Sequence, residues 1–257
     1  LPEWLHLTRA GDALDFRDWD PEVTPTNLDV VRIARDHHVD VVPILNNAEG
    51  GAFDPARAHV LLASSHVQGR LIAALRTFLV RQGFQGVNVD LENLRPDDYA
   101  RLPGFLARLA AALGPGYSVS TDLEPGRPDA SLAAIAAACD FVVMMAYNQH
   151  SPGGPPGPIS AVGWYDSVLT RFVRQVPAHK LVVGVANYGF DWRAHTPATT
   201  LTYQGALIAA RDNRPDEPPQ QVVDFDPQAL NPTFQYTDDS ARSHEVWLLD
   251  GVTAHNQ

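Results

Sequence analysis

Gly83-Phe84-Gln85-Gly86-Val87-Asn88-Val89-Asp90-Leu91-Glu92-Asn93 is the stretch on which the fold turns. Its strict alternation has the period of a β-strand. Val87, Val89 and Leu91 take one face, and Asn88, Asp90 and Glu92 take the other. A surface strand would alternate in the same way, so the neighbours decide. A helical segment precedes the stretch, and another opens at Arg95-Pro96-Asp97-Asp98. Strands set between helices belong to parallel sheets whose apolar side the helices cover. In a barrel of such strands the polar side faces the axis, and the carboxyl ends form the working mouth. The strand rise puts the Cβ atoms of Asp90 and Glu92 roughly 6–7 Å apart on that side. Two carboxyls that close in a poorly solvated place resist ionising together, which holds one of them as an acid.

Outward from this strand the rhythm of helix and strand persists. Trp4-Leu5-His6-Leu7 reads as a short strand, followed by a solvated acidic loop bearing Asp12, Asp15, Asp18 and Asp20. That loop lacks the glycine and closing glutamate of an EF-hand. Asn27 is placed to cap a helix running to His38 with Leu28, Val31 and Ala34 inward, and a buried strand is expected over 39–45, ending in Asn46-Asn47. Asp54-Pro55 is an N-cap followed by proline at the first helical position, with a break expected at Ser64-Ser65. After Glu92 come a helix to Leu113, kinked or restarted at Pro103-Gly104, then strands over 117–123, 141–147 and 180–186, with helices between them. Val87, Val119, Val143 and Val183 are therefore expected on neighbouring strands of one sheet. The proline-rich run 151–158 is an irregular loop at a strand's carboxyl end, where such loops build clefts. Short strands over 193–250 read as a small β insertion near the C-terminus.

The chain has 257 residues and a formal net charge of −11, which argues against nucleic acid and anionic membrane as partners. Asp140 interrupts the longest apolar run, so no membrane insertion is expected. Leu1-Pro2-Glu3-Trp4 lacks the basic start and apolar core of a secretory signal. Cys139, the only cysteine, reads as a buried thiol, and Lys180 is the only lysine. His37, His38, His59 and His66 read as surface residues. No histidine or carboxylate cluster has metal-ligand spacing, so neither a metal nor another cofactor is expected.

Gly-Phe-x-Gly-Val-Asn-Val-Asp-Leu-Glu resembles the catalytic strand of glycoside hydrolase family 18, the chitinase-like enzymes, whose pattern is Asp-x-x-Asp-x-Asp-x-Glu. It is most similar to a bacterial branch that includes spore-germination peptidoglycan hydrolases and modules fused to polysaccharide deacetylases and glycosyltransferases. By position, the resemblance makes Glu92 the proton donor and Asp90 the residue that steers the substrate acetamido group, while Gln85 and Asn88 stand where the pattern has outer aspartates. Met144-Met145-Ala146-Tyr147-Asn148 resembles the family's Met-x-Tyr-Asp segment, which gives Tyr147 a hydrogen bond to the acetamido carbonyl and replaces an aspartate by Asn148. The segments 185–192 and 244–250 resemble a cleft-lining strand end and an inserted hairpin. The resemblance covers nearly the whole chain in order.

The resemblance implies an α/β TIM-type (β/α)8 barrel, one domain over 1–257 with the insertion at 193–250. The family's first and eighth strands are not found, so the barrel reads as incomplete at both chain ends. It also implies a retaining, substrate-assisted glycosidase acting on a β-linked, N-acetylhexosamine-containing polysaccharide. The expected residues are Glu92, Asp90 and Tyr147 for catalysis, and Asn88, Asn148, Tyr188 and Trp192 for substrate binding. The setting it implies is extracytoplasmic, with other modules of a longer chain as partners besides the glycan. Two other readings stand beside it. One is a carbohydrate-binding relative with little catalysis. The other is a glucan hydrolase that uses Asp122 or Glu124 in place of the acetamido group.

Overall fold

A computed structural model describes residues 1–126, 132–194, 196–214, 216–218 and 221–256. The expected helix over 130–138 therefore begins partly outside the described residues. The chain divides into two compact units, Leu1–Met144 with Val173–Val182, and Met145–Phe172 with Val183–Gln257.

The first unit runs β1 (Glu3–Leu7), β2 (Leu14–Asp15), α1 (Thr26–Asp36), β3 (Ile44–Asn46), β4 (Ala48–Glu49), β5 (Ala52–Phe53), α2 (Pro55–Ala63) and α3 (Ser65–Gln82). It continues through β6 (Gly86–Asp90), α4 (Pro96–Leu113), β7 (Ser118–Leu123), α5 (Leu132–Ala138), β8 (Phe141–Met145) and β9 (Leu181–Gly184), the last two crossing the division between the units. Seven of these strands form one sheet in the order β2-β1-β3-β6-β7-β8-β9, and β4 and β5 form a separate two-stranded hairpin. The pairs β1–β3, β3–β6, β6–β7 and β7–β8 are parallel, and the β1–β2 hairpin is antiparallel. Val87, Val119, Val143 and Val183 fall on four consecutive strands, as the helix–strand alternation requires.

Register separates the sheet into two chemically different faces. Leu5, Leu45 and Val89 stand in one row, each fully buried, with Thr121 beside them donating its hydroxyl to Val89 O at 2.7 Å. Each such aliphatic side chain contributes about 1.5–3 kcal/mol by leaving water. The opposite face is polar. His6, Asn46 and Asp90 are register partners across β1, β3 and β6, and Asn88 pairs with Ser120 one pleat below. Gly86 permits the β6–β7 approach, since a Cβ there would lie 2.2 Å from Ser118 O.

The helices begin and end for local reasons. Asp54 caps α2 by accepting from Ala56 N, with Pro55 following. Ser64, in extended conformation, ends α2 and caps α3 through Val67 N, which is the expected break. Gly83 ends α3 at φ 70°, a left-handed turn that suits glycine. α4 runs unbroken through Pro103.

Three expectations are corrected. Asn27 does not cap α1; Pro25 holds that position, and Asn27 is the helix's buried residue, donating to Asp18 O and Trp19 O. Leu28, expected inward, is 54% exposed. The strand expected over 39–45 is confined to Ile44–Asn46, because Pro43 has no N–H to donate to a ladder.

The second unit contains α6 (Val162–Val173), β10 (Tyr188–Arg193), β11 (Thr199–Thr202), α7 (Tyr203–Asn213), β12 (Asp224–Asp226), β13 (Asn231–Thr237), β14 (Ser243–Leu248) and α8 (Gly251–Asn256). Its five strands form an antiparallel sheet in the order β11-β10-β14-β13-β12. Phe234, Val246 and Leu248 pack on Ala206 and Ala210 of α7. A polar clasp ties three strands together. Asp191 accepts from Tyr236 Oη at 2.9 Å and lies 2.8 Å from His244 Nδ1, and the Tyr236 and His244 rings stack at 4.3 Å.

Candidate active site

The polar face of the first unit's sheet is the chemically loaded surface of that unit. Asn88 and Ser120 are fully buried, and the Ser120 hydroxyl donates to Asn88 Oδ1 at 2.6 Å. Directly above, Asp90 ends β6 at 8% exposure. Continuing the β6–β7 register by one residue sets Asp122, also 8% exposed, opposite Asp90. On the other side Asp90 is level with Asn46. The Asn46 amide is engaged at both ends: Oδ1 faces His6 Nδ1 at 2.6 Å and accepts from Ala48 N at 3.0 Å, while Nδ2 donates to Glu3 Oε1. His6 in turn reaches Asp18 Oδ2 at 2.6 Å. Most buried polar groups are partnered, and this network holds the floor around Asp90.

Glu92 lies two residues past the end of β6 and is half-buried. Its backbone is gripped by Asn47: Glu92 N–H donates to Asn47 Oδ1, and Asn47 Nδ2 donates to Glu92 O, each at 3.0 Å. Asn93 follows at φ 55°, turning the chain away from the strand.

Of the other expected site residues, Asn88 is at 0% exposure, and its Oδ1 accepts from Ser120 while its Nδ2 is buried without a hydrogen-bond partner among the described residues, so it forms part of the floor. Gln85 works at the far end of the strand. Its Oε1 accepts from Val41 N and its Nε2 donates to Gly83 O, closing backbone at the strand's entry. A pocket of about 310 Å³ lined by Arg35, His38, Phe84 and Gln85 lies at that end, away from Asp90. In the second unit, Tyr188 Oη donates to Asn148 Oδ1, and the Tyr147 and Tyr188 rings meet edge-on at 6.2 Å. Asn148 adopts φ 59°. Trp192, expected as a sugar platform, is 4% exposed inside an apolar cluster, and its indole N–H donates to Gly154 O at 3.2 Å. It is core, and a sugar face has no access to it.

His59 is also corrected. Its Nδ1 lies 2.9 Å from the fully buried Asp98, which Arg101 pairs at 2.8 Å. Cys139 is buried as expected; burial pushes its thiol up to about 11. Sequence reasoning missed His6, Asn46 and Asn47, although consecutive asparagines at a strand's carboxyl end were a signal. Among the described residues no group of three or more His, Cys, Asp or Glu could hold a metal ion, and no helix is long and apolar enough to cross a membrane.

A parallel sheet with buried carboxylates at its carboxyl ends is the arrangement of a TIM-type barrel hydrolase. Solved relatives bear out that class. The crystal structure of the spore cortex-lytic enzyme SleL from Bacillus cereus superposes with a TM-score of 0.81 and 28% identity, covering 97% of this chain and 57% of that one. A chitinase from Chromobacterium violaceum shares the fold with a TM-score of 0.81 at 24% identity, over 96% of this chain and 77% of its own. The profile of glycosyl hydrolases family 18 matches residues 16–247, and the chain belongs to that family. The cortical fragment-lytic enzyme of Bacillus subtilis is 30% identical over 243 residues, 89% of this chain and 55% of the relative. The chain thus spans about half the length of that curated relative.

Proposed function

We propose that this chain hydrolyses a β-linked glycan containing N-acetylhexosamine, of the chitin or peptidoglycan kind, with retention of configuration. The observation that carries the reading is Asp90, buried on a hydrogen-bonded polar floor, with Glu92 two residues beyond it at the strand's carboxyl end. Glu92 protonates the glycosidic oxygen. The substrate's acetamido oxygen attacks the anomeric carbon as the leaving group departs, forming an oxazolinium ion, an exception to the two-carboxylate scheme. Asp90 orients the acetamido group and offsets the developing positive charge. Tyr147 keeps the role the resemblance gives it, a hydrogen bond to the acetamido carbonyl. Glu92, now a carboxylate, takes a proton from the water that opens the oxazolinium ion. Relatives named for lysis of cortical fragments and spore cortex support an extracytoplasmic glycan as substrate.

One observation favours a second reading. Asp122 on the face of Asp90 offers another carboxylate, which a glucan hydrolase without acetamido participation would need. NMR of fresh products from acetylated and de-N-acetylated oligomers separates the two. Our reading expects an initial β-anomer from the acetylated oligomer and no cleavage of the other; an initial α-anomer, or equal cleavage of both, rejects it. Glu92→Gln should abolish turnover while leaving binding, because the amide keeps the shape but has no acidic proton to give. A protein that binds the oligomers yet never cleaves them is the carbohydrate-binding relative instead.

A further inference from the structure

We infer that Asn47 is a positioning residue for Glu92, holding the acid's main chain where no strand does. This rests on the proposed role of Glu92. The β3–β6 ladder stops at the pair Asn46 and Asp90, so Glu92 lies beyond the last backbone pairing of its own strand. The Asn47 side chain takes over there. Its amide accepts from Glu92 N–H and donates to Glu92 C=O, both at 3.0 Å. Those two groups belong to the peptides on either side of the Glu92 Cα. Fixing both peptides fixes φ and ψ between them, and so the direction in which Cα–Cβ leaves the chain. The remaining Nδ2 hydrogen goes to Asp54 O at 2.9 Å, while Asp54 N–H donates to Asn47 O at 3.0 Å. Asn47 therefore ties Glu92 to the N-cap of α2, a rigid helix start, across the loop of the β4–β5 hairpin.

The chemistry selects asparagine. The position needs one acceptor and two donors on one planar group, and a neutral side-chain amide supplies them. Asn47 is fully buried, so no water can replace a lost bond from bulk solvent. Aspartate has the same shape but would set a carboxylate against two carbonyl oxygens. Alanine would leave Glu92 N–H and C=O without these partners. A small error in the position of a reacting group is enough to reduce the rate of the chemical step by about 100-fold.

The test uses Asn47→Ala, Asn47→Asp and Asn47→Ser beside Glu92→Gln. Turnover is followed on a methylumbelliferyl glycoside of an N-acetylglucosamine oligomer, and oligomer binding and circular dichroism measure the folded, binding-competent fraction. Positioning predicts that kcat per binding-competent molecule falls about 10–100-fold in the alanine and aspartate variants, with KM within about threefold of the parent. Serine, which keeps one hydroxyl donor and acceptor, should retain more turnover than alanine. Equal kcat per binding-competent molecule across the Asn47 series overturns the inference, as does failure of all three variants to fold, since Asn47 would then act in folding alone. If Glu92→Gln itself turns over normally, the proposed mechanism has failed. An inactive Glu92→Gln with normal Asn47 variants sinks only the role of Asn47.

Discussion

Asp90 and Glu92 are held by different means, and their substitutions should differ accordingly. Asp90 belongs to a strand and sits on a bonded floor, so Asp90→Asn changes charge with little change of shape. Under the proposed mechanism kcat should fall about 10²–10³-fold, the loss expected when one group that stabilises transition-state charge is removed. A variant within threefold of the parent would take Asp90 out of the chemistry. Cys139 gives a second test at this scale. Its thiol is pushed up to about 11 by burial, and Sγ is 3.1 Å from Ile135 O. A disulfide reagent at pH 8 should leave the native protein unlabelled and label one thiol in denaturant; rapid native labelling would contradict the burial. Asp90 was legible in the sequence because alternation assigns faces. Trp192 was misread because the same aromatic can floor a cleft or fill a core, and only packing decides. The Asn46-Asn47 pair at a strand's carboxyl end was a signal, but the role of Asn47 was not legible because its partners are main-chain atoms, which leave no mark in the sequence.

The elements were legible wherever their ends are chemically marked. Asp54-Pro55 and Ser64-Ser65 announce boundaries by capping chemistry, and the chain obeys both. α1 went wrong because an asparagine before an apolar run fits both a cap and a buried anchor, and here it anchors the Trp19 loop. Ser64 serves two helices at once. Ser64→Ala should lower stability by about 1 kcal/mol through loss of the α3 cap, read as a lower urea midpoint with unchanged slope. Asp98 of α4 reaches His59 of α2 and pairs with Arg101 of its own helix. Its partners are partly exposed and regain water when it is removed, so Asp98→Ala should cost about 1–3 kcal/mol. A loss near zero would show that the buried pair only offsets its own desolvation.

At the scale of the molecule, the helix–strand alternation disclosed a parallel sheet, while the network behind Asp90 needed register that only pairing supplies. Charge sets the pH limits. The side-chain hydrogen bond from Arg242 holds Asp238 well below the usual carboxylate range; burial pushes Asp15 up, but hydrogen bonds from Arg17 bring it below its ordinary value. A depressed folded value gives stability above the unfolded value, near 4, that is lost as pH falls through the acid range. Asp238→Asn should therefore flatten the fall of Tm between about pH 4 and pH 2. Burial, with the hydrogen bond to Asp191, raises Tyr236, and burial raises Cys139. Raised folded values give stability that is present below the unfolded value and lost as pH rises beyond it, so Tyr236→Phe should soften the decline of Tm above about pH 10. An unchanged alkaline limb would exclude that tyrosine. The sole lysine has a consequence of another kind. Lys180 Nζ is bound to the carbonyls of Ala136 and Cys139, and every other one of the 19 basic side chains is an arginine. An enzyme that releases reducing sugar ends bathes itself in aldehydes that condense with amines. Under the proposed hydrolysis, this chain would offer such products one side-chain amine, already engaged, and should resist glycation over long service.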